Sequence, residues 1–444
     1  VVKTPPAQMK MPRNRVRPAQ QGFAGAIIAP DPSVLSPSLT PYFLGYIERK
    51  VMRMRLETYH SMMQTMPLPA QACSGIVLRT PESILADDIR QTALAQLGFT
   101  DLATSVHAER GQDRQGAWVR LWLDQATAQA WAPGLDTLQL ASTLQLDTLN
   151  CDADLMREIV VAMLMGPIPF EFPSLDELVS AVRIRRNIVQ AARKTTLAFD
   201  TAAAERPEGY WTYDKATGFT ILPGVSLIEA LTRATQPDVS GSLYSFSCYR
   251  ATEYVTLLGI AQELAHSNPS LFNQLQKQWT QRAIMSGEFH EVFLREQGSM
   301  DQPLPPSYYV PGDRTWFRNP DEASANASGF EGSWVMYLGG GLFTNFWKRN
   351  QPYTLTSKCV EIYHWRHGLY RDEQGEHRID EAHIEPMIEA TLSNPSELAR
   401  IMALMTRYRE PRGVYTEAGG GIDTTREFAR WVRPGTADLQ LPTE

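Results

Sequence analysis

Ser240–Glu253, SGSLYSFSCYRATE, changes character midway. A run of small residues leads to Cys248, and Tyr254, Leu257, Leu258, Ala261 and Leu264 then follow at helical spacing. This pattern predicts a loop that delivers Cys248 to the first turn of an apolar helix. A sulfur placed there feels the positive end of the aligned peptide dipoles and the N–H groups that the helix leaves unused, and both favour thiolate over thiol. A thiolate is a nucleophile, and the same N–H groups can hold the oxyanion of a tetrahedral intermediate. A buried structural cysteine at a helix start looks the same locally, so the surroundings must decide.

C-terminal to this stretch, Val310–Asp321 (VPGDRTWFRNPD) reads as a turn at Pro311-Gly312-Asp313 followed by a strand over Arg314–Phe317. Phe330–Gly341 (FEGSWVMYLGGG) predicts a second strand, Ser333–Leu338, closed by glycines. N-terminal to it, Ser174 has the place of an N-cap and Glu177 that of its capping-box partner, opening a helix to about Ala198. Tyr210–Tyr213 and Gly218–Leu222 read as two strands around a turn, and Ser226 as the cap of a helix over Leu227–Thr235. Papain-like cell-wall peptidases use this order of cysteine helix, turn, strand and strand bearing the general base.

FEFPSLDELVSAVRIRRNIVQAARKT (170–195), YWTYDKATGFTILPG (210–224), SLYSFSCYRATE (242–253), PGDRTWFRNPD (311–321) and FEGSWVMYLGGG (330–341) are collinear with one family. From about Phe170 to about Trp347 the chain resembles the bacterial protein-glutamine γ-glutamyltransferases best known from spore coats. The resemblance implies an α+β fold with a papain-like core, in which the cysteine-bearing helix packs on an antiparallel sheet. It also implies acyl transfer without a cofactor. The cysteine attacks a glutamine carboxamide, ammonia leaves, and a lysine amine or water takes the acyl group. Partners on this reading are proteins bearing glutamine and lysine.

The chain departs from the family where the catalytic partner belongs. The family's basic glutamate maps to Ser333, its acidic residue before the cysteine to Ser247, and its later histidine to Asn345 or Phe346. Glu331 stands two residues from Ser333 and shares its face if Gly332 continues the strand. His290 lies where the family has a histidine-containing segment. The base is therefore Glu331, His290, or absent. Glu253, five residues after Cys248, turns off the cysteine's helical face and reads as structural.

The remaining segments narrow the function. A net charge of −7 over 444 residues gives no reason to expect nucleic acid. The cluster Arg183, Arg185, Arg186, Arg193 and Lys194 reads as a solvated helix face. No apolar run is long enough to span a membrane. The four cysteines form no CxxC pair, and Cys73, Cys151 and Cys359 read as buried apolar positions. His364 and His367 have chelating spacing but no carboxylate completes a set, so no metal is expected. No signal-peptide pattern opens the sequence, which leaves a soluble protein, cytoplasmic or secreted by a signal-independent route, as the expectation.

Residues 1–40 read as a flexible tail, and 41–150 as a helix from Tyr42 to about Met66 followed by a small α+β accessory module, a possible contact for a delivery partner. The transglutaminase-like domain is placed at 151–385, and 386–444 is expected to form a helical extension and tail. Within that tail Pro386–Arg407 reads as helix with a cap at Ser396, and Gly419–Gly421 as a flexible loop. The competing readings are a delivered bacterial effector with transglutaminase or deamidase activity, a cell-wall peptidase or amidase, and a catalytically degenerate binding module.

Overall fold

The computed structural model describes residues 73–198, 204–410 and 419–442. The expected tail over 1–40 and the helix from Tyr42 lie outside the described residues. The first described part is an α+β layer: β1 (Ile76–Arg79), α1 (Ala86–Leu97), β2 (Val106–Asp113), β3 (Gly116–Leu123), α2 (Gln125–Trp131), α3 (Asp152–Leu164) and β4 (Phe170–Phe172). Its strands run in the order β2-β3-β1-β4. β3 buries Ala117, Val119, Leu121 and Leu123 while the residues between them stay partly exposed, the alternation that its sequence foretells. α1 stops at Gly98, whose φ of 85° ends the helix in the left-handed region.

α4 (Leu175–Lys194) begins as read, with the Ser174 hydroxyl accepting from the Glu177 N–H at 3.2 Å. The capping box does not close. The Glu177 carboxylate instead accepts from the N–H groups of Val432 and Arg433 at 3.1 and 2.5 Å, tying the C-terminal segment to this helix. The reading of a solvated basic face is also corrected. Arg185 is buried and pairs with Asp313 at 2.7 Å, clamping the Pro311-Gly312-Asp313 turn, and Arg193 donates to the carbonyls of Thr148 and Leu338, both at 2.7 Å.

After the hairpin β5 (Trp211–Asp214) and β6 (Gly218–Ile221) come α5 (Leu227–Thr235), α6 (Cys248–Ser267), α7 (Pro269–Gln281) and α8 (Ser286–Phe293). α6 is apolar on nearly every side, burying Ala251, Val255, Leu257, Leu258, Ile260, Ala261 and Leu264, as a central helix must. It crosses α4 closely at Gly259, where a Cβ would stand 2.6 Å from Ile188 Cγ1.

The second sheet combines β7 (Leu294–Gln297), β8 (Arg314–Arg318), β9 (Gly332–Gly339), β10 (Leu342–Phe343) and β11 (Tyr353–Thr354) with a strand from much later in the chain. α9 (Leu355–His364), the hairpin β12 (Leu369–Arg371) and β13 (His377–Ile379), α10 (Glu381–Leu392) and α11 (Pro395–Met405) intervene before β14 (Arg426–Ala429). The order is β11-β10-β9-β8-β14-β7, antiparallel throughout. The fold is thus α+β, with the cysteine-bearing helix packed on an antiparallel sheet.

β9 is covered on both faces. Met336 and Leu338 share a core with Val255, Leu257 and Leu258 of α6, while Val335 and Tyr337 share one with Cys359 and Val360 of α9. Three readings of the C-terminal part change. The helix over Pro386–Arg407 is two helices broken at Ser393–Asn394, and Asn394, not Ser396, is the cap, accepting from the Glu397 N–H at 3.3 Å. Gly419–Gly421 is buried, with Gly420 N–H donating to Tyr408 O and Gly421 N–H to Met405 O. β14, absent from the sequence reading, lies between β8 and β7. No helix among the described residues is long and apolar enough to cross a membrane.

Candidate active site

The loop before Cys248 is fixed by chemistry in its own sequence. Phe246 is buried against Tyr254, ring centroids 5.5 Å apart, and the Arg206 guanidinium lies 4.1 Å over the Phe246 ring while its Nε donates to Tyr254 Oη at 3.1 Å. Ser245 O accepts from Glu205 N–H at 2.9 Å, and Leu197 N–H donates to Phe346 O at 2.8 Å. Ser247 then leaves the loop in extended geometry as the N-cap, its hydroxyl accepting from Arg250 N–H at 3.2 Å. Cys248 is the first residue of α6 and is partly buried.

The sulfur faces the opening end of β9, and backbone parity explains how. Met336 N–H turns away from β8 and donates to Thr344 Oγ1 at 3.0 Å, whereas Tyr337 N–H donates toward β8, to Asp313 O at 2.9 Å. Trp334, two residues before Met336, directs its N–H to the same side as Met336, and there that N–H meets the Cys248 sulfur. Burial, the largest influence, pushes the Cys248 thiol above its ordinary value. The N–H of Trp334, the Lys358 ammonium and the N–H of Tyr249 pull it down, while the Glu331 carboxylate adds to the rise. Burial of the sulfur thus works against the thiolate that the helix terminus and its N–H groups favour.

Glu331 precedes β9 directly. It is exposed, yet the protein around its carboxyl raises its pKa, against the N–H groups of Glu331 itself and of Gly329. Gly332 does continue the strand, paired with Arg318 in a register that runs unbroken to Met336. Its φ of 151°, and a Cβ position 2.4 Å from Phe317 O, leave room only for glycine. Ser333 pairs with Phe317, on the Val335 and Tyr337 face of the strand.

His290 belongs to a different cluster. Its Nδ1 lies 3.1 Å from Glu427 Oε1, and Glu427 is also paired with Arg314. Arg314 Nε donates to Thr252 Oγ1 at 2.7 Å, and its guanidinium lies 3.9 Å over the Trp334 ring and 4.5 Å over that of Tyr249. Glu253 is buried with Arg250 at 2.8 Å and the Ser286 hydroxyl at 3.1 Å. Asn345 Oδ1 accepts from the N–H groups of Trp347 and Lys348, both at 3.2 Å, and so closes a turn. The Glu331 carboxylate accepts from Gly329 N–H at 3.4 Å, and His290 lies against Glu427.

His364 and His367 approach through their Nδ1 atoms at 3.0 Å, and His364 Nε2 lies 2.8 Å from Thr391 Oγ1. Burial, with the neighbouring His367, lowers His364 to about 4. Among the described residues no group of three or more histidine, cysteine or carboxylate side chains is arranged to hold a metal ion. Cys73 and Cys359 are buried as read, whereas Cys151 is only partly so.

Two features of the site escaped the sequence reading: Lys358, and the Trp334 N–H. For Lys358 a signal existed. It sits in LTSKCVEIYH with Leu355 three residues before it and Ile362 four after, a cation on the apolar face of a helix. A family model described as protein-glutamine gamma-glutamyltransferase matches residues 139–441, more than half of the chain. That match extends past the region of resemblance on both sides and takes in β14. No curated protein matches the chain.

Proposed function

This chain belongs to the protein-glutamine gamma-glutamyltransferase family, and from that premise we propose that it transfers glutamine acyl groups through a thioester on Cys248. The observation that carries the reading is the Cys248 sulfur at the start of α6, facing a backbone N–H of β9. In the first half-reaction Cys248 loses its proton to Glu331 and attacks the carboxamide carbon. The carbonyl oxygen gains negative charge, and N–H groups around the sulfur, those of Trp334 and Tyr249, are placed to stabilise it. The C–N bond then breaks, Glu331 returns the proton to the leaving nitrogen, and ammonia departs.

In the second half-reaction an amine or water attacks the thioester carbon. Glu331 takes the acceptor's proton, the C–S bond breaks, and that proton passes to the departing sulfur, which restores the Cys248 thiol and the Glu331 carboxylate. An amine gives a cross-link and water gives a glutamate. Glu331 suits both proton transfers because its raised pKa brings the carboxyl nearer to neutral pH.

The test is ammonia release from a glutamine-containing protein such as casein, with and without an added primary amine. Cys248→Ala is expected to abolish it, a loss of several powers of ten, on the order of 4–8 kcal/mol of barrier. Ammonia release surviving in the alanine variant would move the chemistry elsewhere. Silence in the wild type across protein substrates would favour the competing reading, a binding module that keeps the fold, for which Ser333 at the family's glutamate position speaks.

A further inference from the structure

Arg314, the first residue of β8, is a cation held inside the protein, only 1% exposed. Burying a guanidinium is costly unless its charge is answered. Strand register supplies the answer: β14 places Glu427 opposite Arg314, and the two side chains form an ion pair. Glu427 is buried as well, and its other oxygen lies 3.1 Å from His290 Nδ1. The ion pair explains a cation at this position but not an arginine, since a lysine would also carry the charge.

The rest of the side chain converges on the two residues beside the nucleophile. Arg314 stands opposite Met336, two residues from Trp334, so its side chain leaves the sheet on the face that α6 covers. The guanidinium lies 3.9 Å from the centre of the Trp334 ring and 4.5 Å from that of Tyr249. Those two rings meet edge to face, centroids 5.1 Å apart. Arg314 Nε donates to Thr252 Oγ1 at 2.7 Å, and that hydroxyl donates to the Tyr249 carbonyl at 2.7 Å. Tyr249, which follows Cys248 in the chain, is thus gripped at its ring and at its carbonyl, and Trp334 at its ring. One planar group holds both.

We propose that Arg314 is a positioning residue for acyl transfer, fixing the spacing between the Tyr249 and Trp334 N–H groups that receive the oxyanion. The proposal rests on the reading of Cys248 as the nucleophile. One N–H comes from the start of α6 and the other from β9, so nothing in the local chain keeps them in step. A guanidinium can stack on rings and donate along its edge at the same time, whereas an ammonium has no plane to stack. Spacing matters because an oxyanion hole works only when its donors already stand where the charge will develop, and a shift of about 1 Å can cost about a hundredfold in rate.

The experiment compares two reactions of Cys248 in the full-length protein at one pH. With p-nitrophenyl acetate the sulfur attacks the ester carbonyl, whose oxygen becomes an oxyanion. The C–S bond forms, the ester C–O bond breaks, and nitrophenolate leaves. With iodoacetamide the sulfur displaces iodide, and no oxyanion forms. Both reactions use the thiolate, so the ratio of their rates cancels any change in its fraction. Peptide mapping assigns both labels to Cys248. Arg314→Lys keeps a charge opposite Glu427 but gives up the stacking and the Nε donor. Its ratio of acylation to alkylation is expected to fall roughly ten- to hundredfold. Thr252→Val, which cuts the path to the Tyr249 carbonyl, should lower the ratio by a smaller factor, and Thr252→Ser should restore it.

A folded Arg314→Lys protein with the wild-type ratio overturns the proposal. Two rates that fall together, the mark of a merely structural role, overturn it as well. If the lysine variant does not fold, the valine variant decides, and an unchanged ratio there is equally fatal. A wild-type Cys248 that takes no acyl group from the ester also ends the proposal. Ammonia release is measured alongside. A ratio that falls as expected in a protein that releases no ammonia would retire the glutamine reading and keep the role of Arg314. Ammonia release with an unmoved ratio would do the reverse.

Discussion

The two ends of β9 each meet a carboxyl group and a neighbouring helix, and they are built to opposite purposes. At the closing end Glu158 of α3 is fully buried. It accepts from Gly340 N–H at 3.0 Å and from Tyr337 Oη at 3.0 Å, and a Cβ on Gly339 would stand 2.6 Å from its Oε2. The Gly340 N–H and the Tyr337 hydroxyl both find their partner in this one carboxylate. At the opening end Glu331 stays exposed, and the Trp334 N–H is met by a thiol in place of a strand. Desolvation by the surrounding protein raises both carboxyls, although Glu331 as a residue is exposed. A perturbed carboxyl therefore does not by itself mark a site. What separates the ends is that the donors of one meet a buried carboxylate, while at the other a backbone N–H turns toward a partly buried cysteine.

The strongest way to break this contrast is to neutralise the open end. Glu331→Gln keeps the shape and removes the base, and should slow ammonia release by roughly 10²–10⁴. His290→Gln should leave the rate within a few-fold of wild type, since His290 is engaged with Glu427. The reverse outcome would make the histidine the base and end the comparison.

Neutralising the closed end should touch stability instead. Glu158 is raised to about 7 from an ordinary value of 4.5, first by burial. The unfolded chain therefore ionises first as pH rises. The fold should lose stability between about pH 4.5 and 7 and then level off, by about 3 kcal/mol in all. Urea midpoints of wild type and Glu158→Gln across that range test this: the glutamine variant should lack the slope. A slope that survives would mean the carboxyl ionises equally well in the folded state.

The smallest effect sharpens the definition of the open end. Ser247→Ala removes the side-chain cap of α6 and should cost about 1 kcal/mol of unfolding free energy by thermal or urea denaturation. A serine required for the chemistry would instead show loss of turnover at unchanged stability.

Local chemistry made much of this legible in the sequence. The Cys248 helix, the Pro311-Gly312-Asp313 turn and β9 are written in apolar spacing, turn residues and glycines, and they appear within a residue or two of their expected bounds. What failed was set by partners distant in the chain. Glu177 looks like half of a capping box until Val432 and Arg433 claim its carboxylate. Arg185 looks solvated until Asp313 reaches it. β14 is four residues, REFA, with charges at its first two positions, too short for its alternation to register. Its pairing with β7 and β8 makes it a strand.

That last strand has a consequence for the order in which the molecule comes into being. A ribosome releases the Cys248 helix, β7, β8 and β9 well before it releases Arg426–Ala429, yet β14 belongs between β8 and β7. Until it arrives, those two strands face each other across a gap with their ladder groups unmet, and the pairing that closes it spans more than a hundred residues of sequence. Assembly of the sheet beneath the nucleophile thereby waits on a strand made more than a hundred residues after β8. A chain that lacks β14 would not yet carry the finished sheet on which the Cys248 helix packs.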